Sequence, residues 1–261
     1  DLENGMNVSL SFIIDQGDDE TDTTTGAANS PFDSHSVSVG MDGLGTLTFS
    51  GEGGDSAVAA MDGSAAGGMW DNFQAAADEP ESGHSSNDML SYALPTLLDD
   101  LALVASYTPA GDGGADSSTS FSATYTGVEG LTLAYGQGED NEATLTADAT
   151  AWKVSYTYGP ITATATDLEY DHETATSSRD MSSMAVSYLL PGDAISIGYG
   201  EEEITDGSAS SEKAEFSGFD ISYTAGGMTL KAYTQEAENI SYSTAATEDQ
   251  EVWAVNATFA F

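Results

Sequence analysis

The 261-residue chain has no cysteine, which excludes a disulfide scaffold and any thiolate metal site. Only 4 Lys and Arg stand against 44 Asp and Glu, for a formal charge of −40. A chain this poor in cations cannot neutralise a phosphate backbone, so nucleic acid is excluded as a partner. No apolar run approaches the roughly 18 residues that a membrane-crossing helix needs. The N-terminus carries no basic-then-apolar leader, so an export signal is expected to have been removed or never included. Leu, Ile, Val and Phe are sparse, as in a solvated chain. What is present is aromatic: 12 Tyr, 9 Phe and 3 Trp, too regularly placed for disorder.

The regularity has a period of two. Over Gln250–Phe261, the residues Trp253, Val255, Ala257, Phe259 and Phe261 share one side, and Ala254, Asn256, Thr258 and Ala260 the other. One apolar face and one small or polar face suit a barrel wall between lipid and water. Met6, Val8, Leu10, Phe12 and Ile14 repeat the pattern, as do Leu101–Tyr107, Phe121–Tyr125, Leu131–Tyr135 and Trp152–Tyr158. Further runs end on Tyr188, Tyr199, Tyr223 and Leu230. Weaker candidates are Ser36–Met41, Leu44–Gly51, Met89–Leu94 and Ile161–Tyr170. The pattern predicts about fourteen strands.

Short turns at Asp42-Gly43, Glu129-Gly130, Gly159-Pro160, Pro191-Gly192 and Gly226-Gly227 alternate with longer acidic segments. The latter are Gln16–Asp33, Ala110–Ser118, Asp171–Asp180, Glu201–Lys213 and Gln235–Gln250. Turns at one end and loops at the other are the habit of outer-membrane barrels. Tyr at many strand ends predicts an aromatic girdle at the headgroups, although Tyr also favours strands in general. The fold class is therefore all-β, a transmembrane antiparallel β-barrel forming one domain over residues 1–261.

One connection differs. Residues 52–88 contain no convincing strand and far exceed an ordinary connection. The segment holds Glu52, Asp55, Asp62, Asp71, Asp78, Glu79, Glu81 and Asp88, and no Lys or Arg. It also holds Met61, Met69, Trp70 and Phe73, which a freely solvated loop does not need. Such anchors predict that it folds back inside the wall as a constriction.

At this point the chain resembles the general porins of the alphaproteobacterial type. The match lies in DLENGMNVSLSF (Asp1–Phe12), SVSVGMDGLGTLTFSGEGGDSA (Ser36–Ala57), MLSYALP followed by LALVASY (Met89–Tyr107), and the terminal Phe261. Their order and the long loop are more specific than any one motif. The resemblance implies sixteen antiparallel strands, a homotrimer in the bacterial outer membrane, an inward-folded loop, and passive diffusion of small hydrophilic solutes. It also implies that Phe259 and Phe261 serve as a C-terminal signal to the barrel assembly machinery. Family members carry roughly two strands ahead of the segment matching Asp1–Phe12, so fourteen strands here are expected to be sixteen in the complete protein. Porin eyelets of this kind set basic wall residues against the acidic loop; here only Lys153, Arg179, Lys213 and Lys231 exist.

Alternation places Lys153, Asp220, Lys231 and Asn256 on the lumen face. With few lumen cations and an acidic constriction, the pore is expected to prefer cations, since low-dielectric walls focus the field of fixed carboxylates. The blander alternative, that the carboxylates merely solvate the surface, suits the outer loops better than residues 52–88. Asp18, Asp19, Glu201 and Glu203 lie in dense acidic runs that calcium would bridge. No EF-hand spacing or tandem calcium repeat accompanies them, and diffuse counterions are the simpler reading. No cofactor is expected otherwise. His35, His84 and His172 are the only histidines, and no nucleophile elbow, zinc motif or phosphate loop is present, so enzyme activity is not expected. The rival reading is a secreted acidic β-sandwich or β-solenoid of a surface layer or adhesin, without channel activity. Which way the aromatic face points separates the two.

Overall fold

The computed structural model describes residues 5–14, 32–61, 63–73, 85–86, 88–110, 116–142, 145–174, 177–192, 194–207, 212–242 and 249–259. The first strands are β1 (Met6–Ile14), β2 (Phe32–Met41) and β3 (Gly45–Glu52). Two-residue β4 (Gly54–Asp55) and β5 (Ser85–Ser86) follow, then β6 (Met89–Ala93), β7 (Leu101–Thr108) and β8 (Ser118–Val128). The long strands are β9 (Leu131–Glu142), β10 (Leu145–Tyr158), β11 (Ile161–His172) and β12 (Arg179–Leu189). They continue through β13 (Ile195–Asp206), β14 (Ala214–Ala225), β15 (Met228–Glu238) and β16 (Gln250–Phe259). All but β4 and β5 form one 14-stranded antiparallel meander whose order follows the sequence.

The faces follow from alternation. On β10, Ala147, Ala149 and Ala151 are buried while Trp152, Val154, Tyr156 and Tyr158 are exposed. Registers carry this parity across the wall: Trp152 pairs Tyr135, Tyr199 pairs Val186, and Leu230 pairs Ala257. Tyr107, Tyr135, Trp152, Tyr199 and Trp253 mark the loop side of the outer face. Tyr125, Tyr158, Tyr188, Tyr223 and Phe259 mark the turn side. Trp152 and Tyr158 are six residues apart on β10, about 20 Å along an extended strand. Two aromatic belts bounding an apolar band are the outer surface of a membrane barrel. A sandwich would bury that face, yet Trp253 is 74% exposed and Tyr158 73%.

Several strands run further than periodicity suggests. β13 continues through Glu201–Asp206 and β15 through Glu238, segments read as loop from their acidity. Likewise β2 begins at Phe32, and β11 reaches His172. On β13 the ladder persists because outer-face Glu201 bonds Tyr199 while inner-face Glu202 and Ile204 are buried. Glu52 also belongs to a strand, β3, and not to the loop beyond it.

Candidate channel constriction

Beyond Glu52 the chain leaves the wall. Gly54 pairs with Ser86 and Asp55 with Ser85, so β4 and β5 form a stem that brings both ends of the long loop together. Between them the chain crosses the inner face through two short 3-10 turns, Ala59–Met61 and Met69–Asn72.

The loop is fixed to successive strands. The Ala57 N–H donates to Ser106 Oγ on β7 at 3.0 Å and Ser120 Oγ on β8 at 2.9 Å. The Ala65 N–H reaches Thr166 Oγ1 on β11, and the Ala66 N–H reaches Ser183 Oγ on β12, both at 3.0 Å. On β13, Glu202 Oε1 accepts the Gly68 N–H at 2.9 Å and Oε2 the Met69 N–H at 2.6 Å. Asn72 Nδ2 donates to Gln235 Oε1 on β15 at 3.0 Å. Wall residues at this height are small where the loop lies closest. A Cβ at Gly136 would stand 3.2 Å from the Val58 Cα, and one at Gly200 only 2.6 Å from the Ala66 Cβ.

Apolar contacts complete the seat. Val58, Met69 and Phe73 bury against Ala149, Leu168, Met181, Ile204, Phe216 and other inner-face residues. The Phe73 and Phe216 rings lie 5.7 Å apart. This is the hydrophobic core of the molecule, and it exists only because the loop lies on the wall. Hydroxyl and amide groups pair with the backbone donors that burial would otherwise leave unsatisfied.

The sequence-selected carboxylates occupy different places. Asp71 lies in the second 3-10 turn and Asp55 in β4, both exposed. Asp88 sits just before β6 with φ 60°. Glu52 faces His35 across the β2–β3 ladder, Oε2 to Nδ1 at 3.9 Å. Asp62, Asp78, Glu79 and Glu81 lie outside the described residues, as do Asp18, Asp19 and Phe261.

Parity puts Lys153 on the face of Ala149 and Ala151, and Asp220 on the face of Phe216. Lys231 shares the face of Ala237 and pairs with Asn256. These four stand on the side that carries the loop. Lys231 lies 6.0 Å from the Tyr233 ring centroid, within reach of a cation–π attraction.

Glu201 and Glu203 stand on the opposite, outer face of β13. The Tyr199 hydroxyl donates to Glu201 at 2.6 Å, and Lys213 bonds Glu203. That carboxylate raises the Lys213 pKa above the usual lysine value, first by its hydrogen bond and then by its charge. Among the described residues no group of three His, Asp or Glu side chains is arranged to hold a metal ion.

An outward aromatic face, a polar inner face and a loop laid across the inside define a transmembrane β-barrel channel. The sequence profile of the Gram-negative porin family matches residues 1–218, and the chain belongs to that family. It is an outer-membrane protein and a channel, in keeping with its resemblance to general porins of the alphaproteobacterial type. No curated protein matches it significantly in sequence. Solved structures share the fold at low identity. A mutant of the Rhodopseudomonas blastica porin aligns with TM-score 0.64 and 13% identity, covering 100% of this chain and 86% of that one. The anion-selective porin from Comamonas acidovorans gives 0.57 and 13%, over 78% and 67%. OmpT, an outer membrane protein of Vibrio cholerae, gives 0.55 and 15%, over 87% and 77%.

The sequence does not point to Ser106, Ser120 or Ser183, and it presents Glu202 only as part of a dense acidic run that divalent ions would bridge. Glu202 is the middle of three consecutive glutamates, and only its parity with Gly198 and Gly200 distinguishes it. The serines read as ordinary lumen residues. The inner glycines Gly136, Gly200 and Gly218 were the available sign that something packs against the wall.

Proposed function

We propose that this porin passes small hydrophilic solutes by passive diffusion through an eyelet formed by the loop between β3 and β6, and that it prefers cations. The observation that carries the reading is the loop itself, hydrogen-bonded across the inner face from Ser106 on β7 to Gln235 on β15. A segment held there narrows whatever water-filled space the wall encloses. Its exposed Asp55 and Asp71 face solvent, and the whole chain has only 4 basic residues against 44 acidic ones. Fixed carboxylates in a low-dielectric enclosure raise the local cation concentration and exclude anions. Calcium held by Glu201, Glu203 or the Asp18–Asp19 run remains a weaker proposal, with diffuse counterions the simpler one.

The assembly we propose is a homotrimer inserted by the barrel assembly machinery, with Phe259 and Phe261 as its C-terminal signal. The test is planar-bilayer recording of the full-length protein across a potassium chloride gradient. Conductance steps in threes with a zero-current potential on the cation side are expected. An anion-side potential would overturn the selectivity, and folded protein that never conducts would overturn the channel reading. Asp62→Asn with Asp71→Asn is expected to weaken the cation preference at similar conductance.

A further inference from the structure

We propose that Glu202 is the positioning residue of the eyelet, holding Ser64–Trp70 at its depth in the channel without acting as a selectivity charge. The inference rests on the channel reading above and adds a role for one wall residue.

Glu202 is 2% exposed, although its strand lines the inner face. The loop covers it. Its two oxygens accept the Gly68 N–H at 2.9 Å and the Met69 N–H at 2.6 Å, and Oε1 also takes the Ser64 hydroxyl. Two successive backbone donors converge on one carboxyl because Gly68 has φ 69° and ψ 56°, a left-handed conformation that L side chains rarely adopt. Backbone turned this way forms an anion-binding concavity. Here the anion is part of the wall.

The neighbouring attachments are fewer per wall side chain. Ala65 and Ala66 each give one N–H to the hydroxyls of Thr166 and Ser183, whereas the Glu202 carboxyl takes two N–H groups and a hydroxyl. Glu202 is thus the principal polar fixing point of the segment. Charge and selectivity part company here. Both Glu202 oxygens face N–H dipoles and lie under the loop, so its field toward the channel is largely offset. Asp55 and Asp71 have no such cover.

The chain has no cysteine, so a single spin label at Gly63→Cys reports loop motion cleanly. Gly63 is exposed, and a Cβ there meets nothing within 4 Å. In the full chain, Glu202→Gln leaves one acceptor oxygen and points an amide at N–H donors. The label spectrum is expected to sharpen. Single channels are expected to show higher mean conductance and transitions between sublevels absent from the parent, with the zero-current potential unchanged. Glu202→Asp, which keeps charge but shortens reach, is expected to lie between. Gly68→Ala strains the donor array from the loop side, leaves the wall untouched, and is expected to reproduce the effect if Glu202→Gln fails to assemble. Immobile label in both variants overturns the proposal, as does a shifted zero-current potential at unchanged conductance. The label reads the loop whether or not the protein conducts, so failure of the channel reading is seen separately.

Discussion

Glu201 and Glu202 are adjacent in sequence and stand on opposite sides of the wall. Glu201 accepts the Tyr199 hydroxyl on the outer face, and Glu202 accepts loop N–H groups on the inner. Glu201→Gln and Glu203→Gln are therefore expected to leave the zero-current potential unchanged across a potassium chloride gradient with 1 M on the concentrated side. Screening at that ionic strength acts within about 3 Å, which isolates outer-face charges from the channel. A clear shift would show that the outer carboxylates shape permeation.

Lys153 is one of two lysines on the inner strand faces and stands on β10 opposite Ala134 of β9. Lys153→Glu replaces a lumen cation by an anion and is expected to increase cation preference in a bilayer gradient experiment. Unchanged selectivity would place the filter away from β10.

Phe216 is 2% exposed and packs against Phe73. Phe216→Ala removes a fully buried ring beneath the loop and is expected to cost about 3–5 kcal/mol. Urea unfolding in detergent reads this. A cost below about 1 kcal/mol would show that the loop contributes little to the folded state.

Gly200 has no room for a side chain. An added Cβ would lie 2.6 Å from the Ala66 Cβ, whereas Gly63 in the same loop is open. Gly200→Ala is expected to destabilise by about 1–3 kcal/mol through overpacking, and Gly63→Ala to leave the unfolding midpoint unchanged. Equal effects would mean that the loop is not held against β13.

Val255 and Asn256 are neighbours on opposite faces of β16. Val255→Lys places a charge toward lipid and is expected to cost about 2–4 kcal/mol if it lies near mid-membrane. Asn256→Lys points inward, beside Lys231, and is expected to change selectivity more than stability. The reverse ranking would invert the assignment of faces.

Strand positions were readable wherever one face was apolar, as in Trp152–Tyr158 or Trp253–Phe259, because alternation then has contrast. That contrast vanishes over Glu201–Asp206 and Gln235–Glu238, where both faces meet water or the loop, so these strand ends passed for loop. The long loop betrayed itself through Met69 and Phe73, apolar residues in an acidic segment. Its fixing points did not show, because they depend on tertiary neighbours: Ser120 binds Ala57 across 63 residues and Glu202 binds Gly68 across 134.

Those separations also order the assembly. The loop precedes in the chain every strand on which it rests from β7 to β15, and Asn72 must find Gln235 across 163 residues. Contacts so distant carry a large closure entropy and form late. Until then Val58, Met69 and Phe73 lack the wall residues they bury against, a state prone to wrong association. On the proposed reading of the loop as an eyelet, its full seat therefore exists only once β15 has joined the sheet.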